Sequence, residues 1–92
     1  MRTALNAVLV QWKTHLGVTP CTVQLVINHA VNVVDFQTAL VAVAGNRSGI
    51  LVSNHRLGRW LRKVEGRVLN GLALTRAGTR EGYPLWQVLH VP

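Results

Sequence analysis

The residues of this sequence with the clearest chemistry are its cations. Asn54, His55, Arg56 and Arg59 open one amphipathic stretch, Arg62, Lys63 and Arg67 follow along it and just beyond, and Arg76 and Arg80 lie in or beside a later turn. A guanidinium is planar and donates two parallel hydrogen bonds, which suits a phosphate or the major-groove edge of guanine. The chemistry on offer is therefore binding of a polyanion. Asn54, His55, Arg56 and Arg59 are placed to meet base edges, Arg62, Lys63 and Arg67 to meet phosphates, and Arg76 and Arg80 to reach a nucleic-acid backbone or minor groove. If about four phosphates were neutralised, log K would fall with log salt at a slope of roughly −3.6.

Other chemistry is hard to assemble from these residues. Carboxylates occur only at Asp35, Glu65 and Glu81, far apart in sequence, and each has a simpler use as a helix cap, a helix-end residue or a turn residue. His15, His29, His55 and His90 show no metal-ligand spacing, and the lone Cys21 has no thiol partner for a disulfide or a thiolate site. Cys21 reads as a small buried apolar side chain. The glycines from Gly45 to Gly49 lack the lysine and hydroxyl of a phosphate-binding loop. The expectation is a chain that is not itself an enzyme and holds no metal or cofactor.

The charge balance points the same way. Of the net +7, residues 1–46 supply only +1, from Arg2 and Lys13 against Asp35, whereas residues 47–92 set eight arginines and lysines against Glu65 and Glu81. An excess gathered in one half points to nucleic acid or an acidic protein surface as partner, the alternative being a solvated basic face with no ligand. Charged residues are 14% of the chain against about 25% in an average soluble domain, which suggests either a piece of a longer chain or a face meant for a partner. No apolar run reaches the roughly 18 residues of a membrane span, and no small-residue cleavage site follows the apolar stretch Ala4 to Val10. A reducing cytoplasm without membrane contact is the expected setting.

The elements that must position these cations follow from periodicity. Ninety-two residues suffice for one domain. Leu5, Val8, Leu9, Trp12 and Leu16 predict a first helix over Thr3 to Leu16, closed by Gly17. Thr19 and Pro20 read as cap and first residue of a second helix to Ala30, burying Val23, Val26, Ile27 and Ala30. Asp35 is placed to cap a third, Phe36 to Ala44, before a turn rich in glycine and a short apolar connection at Ile50 to Val52. Leu57, Trp60, Leu61 and Val64 then mark the buried stripe of a basic helix that starts at Ser53 or Asn54 and stops at Gly66. Its outward side carries Arg56, Arg59 and Lys63 at i, i+3, i+7, with Arg62 on the flank. Beyond Gly66 the period becomes two. Leu72 to Ala77 and Tyr83 to Val91 predict a hairpin about a turn from Gly78 to Gly82, with Trp86 and Val88 on the face toward the helices.

The predicted class is mostly α with a C-terminal β-hairpin, an α+β domain in the order of a winged helix-turn-helix. The segments L-G-R-W-L-R-K-V-E-G-R-V at Leu57 to Val68, N-G-L-A-L-T-R-A-G-T at Asn70 to Thr79 and the closing Y-P-L-W-Q-V carry a family resemblance, and A-L-V-A-V-A-G at Ala39 to Gly45 fits it too. Over about Phe36 to Val91 the chain resembles the C-terminal winged-helix-like segment of prophage and phage-type replication proteins, large primase-helicases whose ATPase core precedes such a tail. The resemblance implies that residues 1–92 are one domain of a longer replication protein, that DNA or the parent's ATPase core is the partner, and that catalysis resides on other parts of that parent. It carries over no catalytic residue. DNA binding, duplex in preference to single strand, is the leading expectation; a protein-interaction module docking on the helicase core or a neighbouring subunit is the rival.

Overall fold

A computed structural model describes residues 2–49 and 51–91. Their architecture is α+β: α1 (Arg2–Leu16), α2 (Val23–Ala30), α3 (Val34–Ala44) and α4 (Asn54–Val64) precede β1 (Val68–Leu69), β2 (Leu72–Arg80) and β3 (Tyr83–His90). The three strands form an antiparallel meander in the order β1-β2-β3. Helix α1 lies against α3 and the sheet, and α4 lies against α2 and α3. Between them Trp12, Trp86, Phe36, Leu9, Leu40, Leu57, Leu61 and Leu74 are fully buried. Trp12 and Phe36 meet as tilted rings with centroids 6.4 Å apart. Among the described residues no helix is long and apolar enough to cross a membrane.

Most residues of the predicted apolar stripes are buried, while Leu16 and Val23 are only partly covered. Leu5, Val8, Leu9 and Trp12 of α1 are buried, and Gly17 ends the helix in the left-handed region at φ +61° with its amide on Lys13 O. In α4 the buried set is Leu57, Leu61 and Val64, while Trp60 is only partly covered, at the margin of the stripe. Ser53 caps α4 by accepting from the Arg56 amide at 3.3 Å, and Gly66 turns at φ +81°.

Two helix starts differ from expectation. Thr19 and Pro20 lie outside α2. Cys21 forms a β-bridge instead, its amide donating to Trp86 O at 2.8 Å and its carbonyl accepting from Trp86 N at 2.7 Å, so the chain is extended there and Thr22 becomes the cap through the Leu25 amide. In α3 the cap position is Val33, with no side-chain acceptor, and Asp35 sits inside the first turn, where the helix dipole still favours a carboxylate.

The connection from α3 to α4 is closed on itself. Ser53 N donates to Ala44 O, Gly45 bridges Val52, and Asn46 N donates to Leu51 O, so the segment is a small antiparallel loop with Val52 buried beneath it. Ile50 lies outside the described residues. Asn70-Gly71 is a hairpin turn: φ is +52° and +75°, both positive as a two-residue primed turn requires, and it pairs Leu69 with Leu72. The second turn is shorter than predicted. β2 continues through Gly78 to Arg80, and only Glu81 and Gly82 make the bend, at φ +52° and +84°. One extra residue of β2 between Arg76 and Thr79 forms a bulge, with Gly78 at φ +100°.

Candidate nucleic-acid interface

The Cys21–Trp86 bridge fixes the site, because it draws the start of α2 alongside β3 and leaves a groove between α2, α4 and the hairpin tip. The groove has a volume of about 760 Å³. Thr22 to Leu25 line it from α2, Asn54, His55, Gly58, Arg59 and Arg62 from α4, and Arg80, Glu81, Tyr83 and Pro84 from the tip, with Trp86 below them. Three arginines from two separate elements thus surround one concavity, opposed by the single carboxylate of Glu81.

Helix geometry sorts the predicted cations. At about 100° per residue, His55, Gly58, Arg59 and Arg62 share the flank of α4 that faces the groove, while Arg56 and Lys63 share the opposite flank, with Arg59 nearest the border. All five charged or ionisable side chains are exposed. Asn54 is committed to the fold, its amide nitrogen donating to Gln24 Oε1 and tying the start of α4 to α2. Arg56 donates from Nη1 to Gly45 O at 3.3 Å across the α3–α4 loop. Arg67 is exposed just before β1, away from the groove.

The two hairpin arginines have different surroundings. Arg76 pairs with Glu65 at 3.3 Å and holds its guanidinium carbon 5.1 Å from the Trp86 ring centroid. It therefore bridges the end of α4 to the sheet. Arg80, carried past the bulge and paired across the turn with Tyr83, lines the groove.

Several lining residues escaped the sequence reading. Leu25 is 45% exposed and Tyr83 66% exposed, so apolar and aromatic surface faces solvent beside the arginines. Gly58 is the most informative. Glycine inside a helix costs about 1 kcal/mol relative to alanine, and a Cβ built at Gly58 meets nothing within 4 Å, so no packing contact asks for its absence. The mid-helix glycine was the one signal in sequence; α2 joins the groove through a long-range bridge that no local pattern announces. Trp86 Nε1 is buried without an acceptor among the described residues.

Other chemistry-bearing residues stay apart from the groove. His15 and His29 rings lie 6.3 Å apart at the surface, with His15 stacked on Phe36 and its Nε2 3.2 Å from Gln11 Oε1. Cys21 is buried, its Sγ donating to Thr19 O, and burial pushes the thiol up from its ordinary range. Among the described residues no three of His, Cys, Asp and Glu gather as a metal-ion site.

The groove and its cations define a small α+β domain with a basic concave face. No protein-family model matches the chain, and neither curated proteins nor solved structures give a significant match to it.

Proposed function

We propose that this chain is a DNA-binding domain of winged helix-turn-helix type, in which α3 and α4 are the helix pair and the β2–β3 tip is the wing. The observation that carries the reading is the convergence of Arg59 and Arg62 from α4 with Arg80 from the hairpin tip around one groove. Cations brought together by the fold from distant positions form a focused field, which scattered surface arginines do not. On this reading Arg56 and Lys63 track the backbone of a duplex, His55 and Arg59 reach base edges, and Arg80 holds the neighbouring phosphates. The domain performs no reaction of its own and serves as an accessory module of a phage- or prophage-type replication protein.

The rival role is docking on another protein, such as the ATPase core of that parent. Exposed Val31 and Val34 at the α2–α3 corner, 62% and 80% accessible, favour it. Anisotropy of labelled blunt duplex, titrated with the protein across a range of salt, separates the two. DNA binding predicts affinity that falls steeply with salt and drops at least tenfold in Arg59→Ala/Arg80→Ala at unchanged thermal midpoint. Salt-insensitive or unchanged binding in the double variant would favour the protein partner.

A further inference from the structure

We infer that the groove between α2, α4 and the hairpin tip receives an unpaired nucleotide of a DNA single strand, next to the duplex carried by the outer flank of α4. This rests on the DNA-binding reading and extends it to strand structure. A volume of about 760 Å³ lies within the roughly 300–1,000 Å³ of sites that enclose small molecules. The lining joins two surfaces with different demands. Arg59, Arg62 and Arg80 supply cations at the rim, while Leu25, Tyr83 and Pro84 supply exposed apolar and aromatic surface.

Within a duplex the base faces are stacked on one another, and only phosphates and base edges are presented to a protein. Phosphates alone would leave the Tyr83 and Leu25 surfaces without a complement. An unpaired nucleotide offers both parts at once, an aromatic face for Tyr83 and a phosphate for the arginines, the combination by which single strands are held. Gly58 fits the same account. Its missing side chain widens the groove midway along the α4 wall, where the fold itself has space for a Cβ. The division of α4 into two flanks lets both ligands sit together: Arg56 and Lys63 turn toward the duplex, and Gly58 and Arg62 toward the strand that leaves it.

The test compares three labelled DNAs by anisotropy: a blunt duplex, the same duplex with a short single-stranded overhang, and an oligothymidylate. Wild-type protein should bind the overhang duplex about tenfold more tightly than the blunt one, the scale of one base stacked on an aromatic ring. Tyr83→Ala and Gly58→Gln should each bring the ratio of overhang to blunt-duplex affinity down to about one. Tyr83 is exposed and the Gly58 position open, so thermal unfolding should remain cooperative in both variants. Equal affinity of the wild type for blunt and overhang duplexes overturns the inference and leaves duplex binding standing, as does an overhang gain that survives both substitutions. Binding of the oligothymidylate that Tyr83→Ala weakens supports it. Failure to bind any of the DNAs overturns the DNA reading itself, and this inference with it.

Discussion

The root and the tip of the β2–β3 hairpin each carry an arginine and use it differently. At the root, Leu72, Leu74, Trp86 and Val88 are buried against the helices, and Arg76 is held between Glu65 and the Trp86 ring. At the tip, beyond the bulge, Thr79 to Tyr83 are exposed, and Arg80 borders the groove with no ion pair to a carboxylate among the described residues. The bulge separates the two regimes, since one inserted residue ends the regular register that serves the core. An arginine at the root belongs to the fold; an arginine at the tip is available to a ligand.

The sharpest way to break this comparison is to truncate each end. Trp86→Ala removes a fully buried ring and should cost about 3–5 kcal/mol in urea unfolding, whereas Tyr83→Ala should change stability by no more than about 0.5 kcal/mol. Comparable losses at both positions would show that the tip is packed as the root is. Next in size is the cap that orients α4 toward the groove. Ser53→Ala should cost about 1 kcal/mol by freeing the Arg56 amide, read as a lower urea midpoint at unchanged slope.

Gly58→Ala should raise stability by about 0.5–1 kcal/mol, the reverse sign to most substitutions. A destabilised Gly58→Ala would mean that some contact does require the glycine. At the root, Glu65→Gln removes an ion pair whose side chains are 46% and 37% exposed, so solvent screening should hold the loss below about 0.5 kcal/mol. The smallest effect concerns Cys21. Burial raises its thiol pKa because the thiolate loses hydration, so folding favours the neutral form. That contribution is complete below the thiol's ordinary range and is lost as pH rises through the higher folded value. The stability difference between wild type and Cys21→Ala should accordingly shift against the wild type at alkaline pH and be flat near neutrality.

Local patterns made much of the architecture legible. The stripe Leu5, Val8, Leu9, Trp12 and the stripe Leu57, Leu61, Val64 name their own buried faces, and Ser53, Gly17 and Gly66 mark helix ends through requirements that lie within one turn of chain. What the sequence left open depends on distant partners. Cys21 is extended because Trp86 bonds it, which moved the start of α2 to Val23. Strand β1 is two residues long and exists by pairing with Leu72 and Ala73, too short to display a period of its own. The groove was partly legible: Arg59, Arg62 and Arg80 were candidates from charge and spacing, but Leu25, Gly58 and Tyr83 enter through tertiary placement. Arg76 and Arg80 read alike in sequence, and Glu65, the Trp86 ring and the bulge distinguish them.

That distinction gives the most direct measurement. Anisotropy of a labelled blunt duplex across salt should be compared for wild type, Arg80→Ala and Arg76→Ala, with thermal midpoints recorded alongside. The account predicts that Arg80→Ala weakens binding about fivefold or more and flattens the salt slope by about 0.9, the loss of one phosphate contact, while Arg76→Ala stays within twofold of wild type. Equal losses from the two substitutions, or a larger loss from Arg76→Ala at unchanged stability, would contradict it.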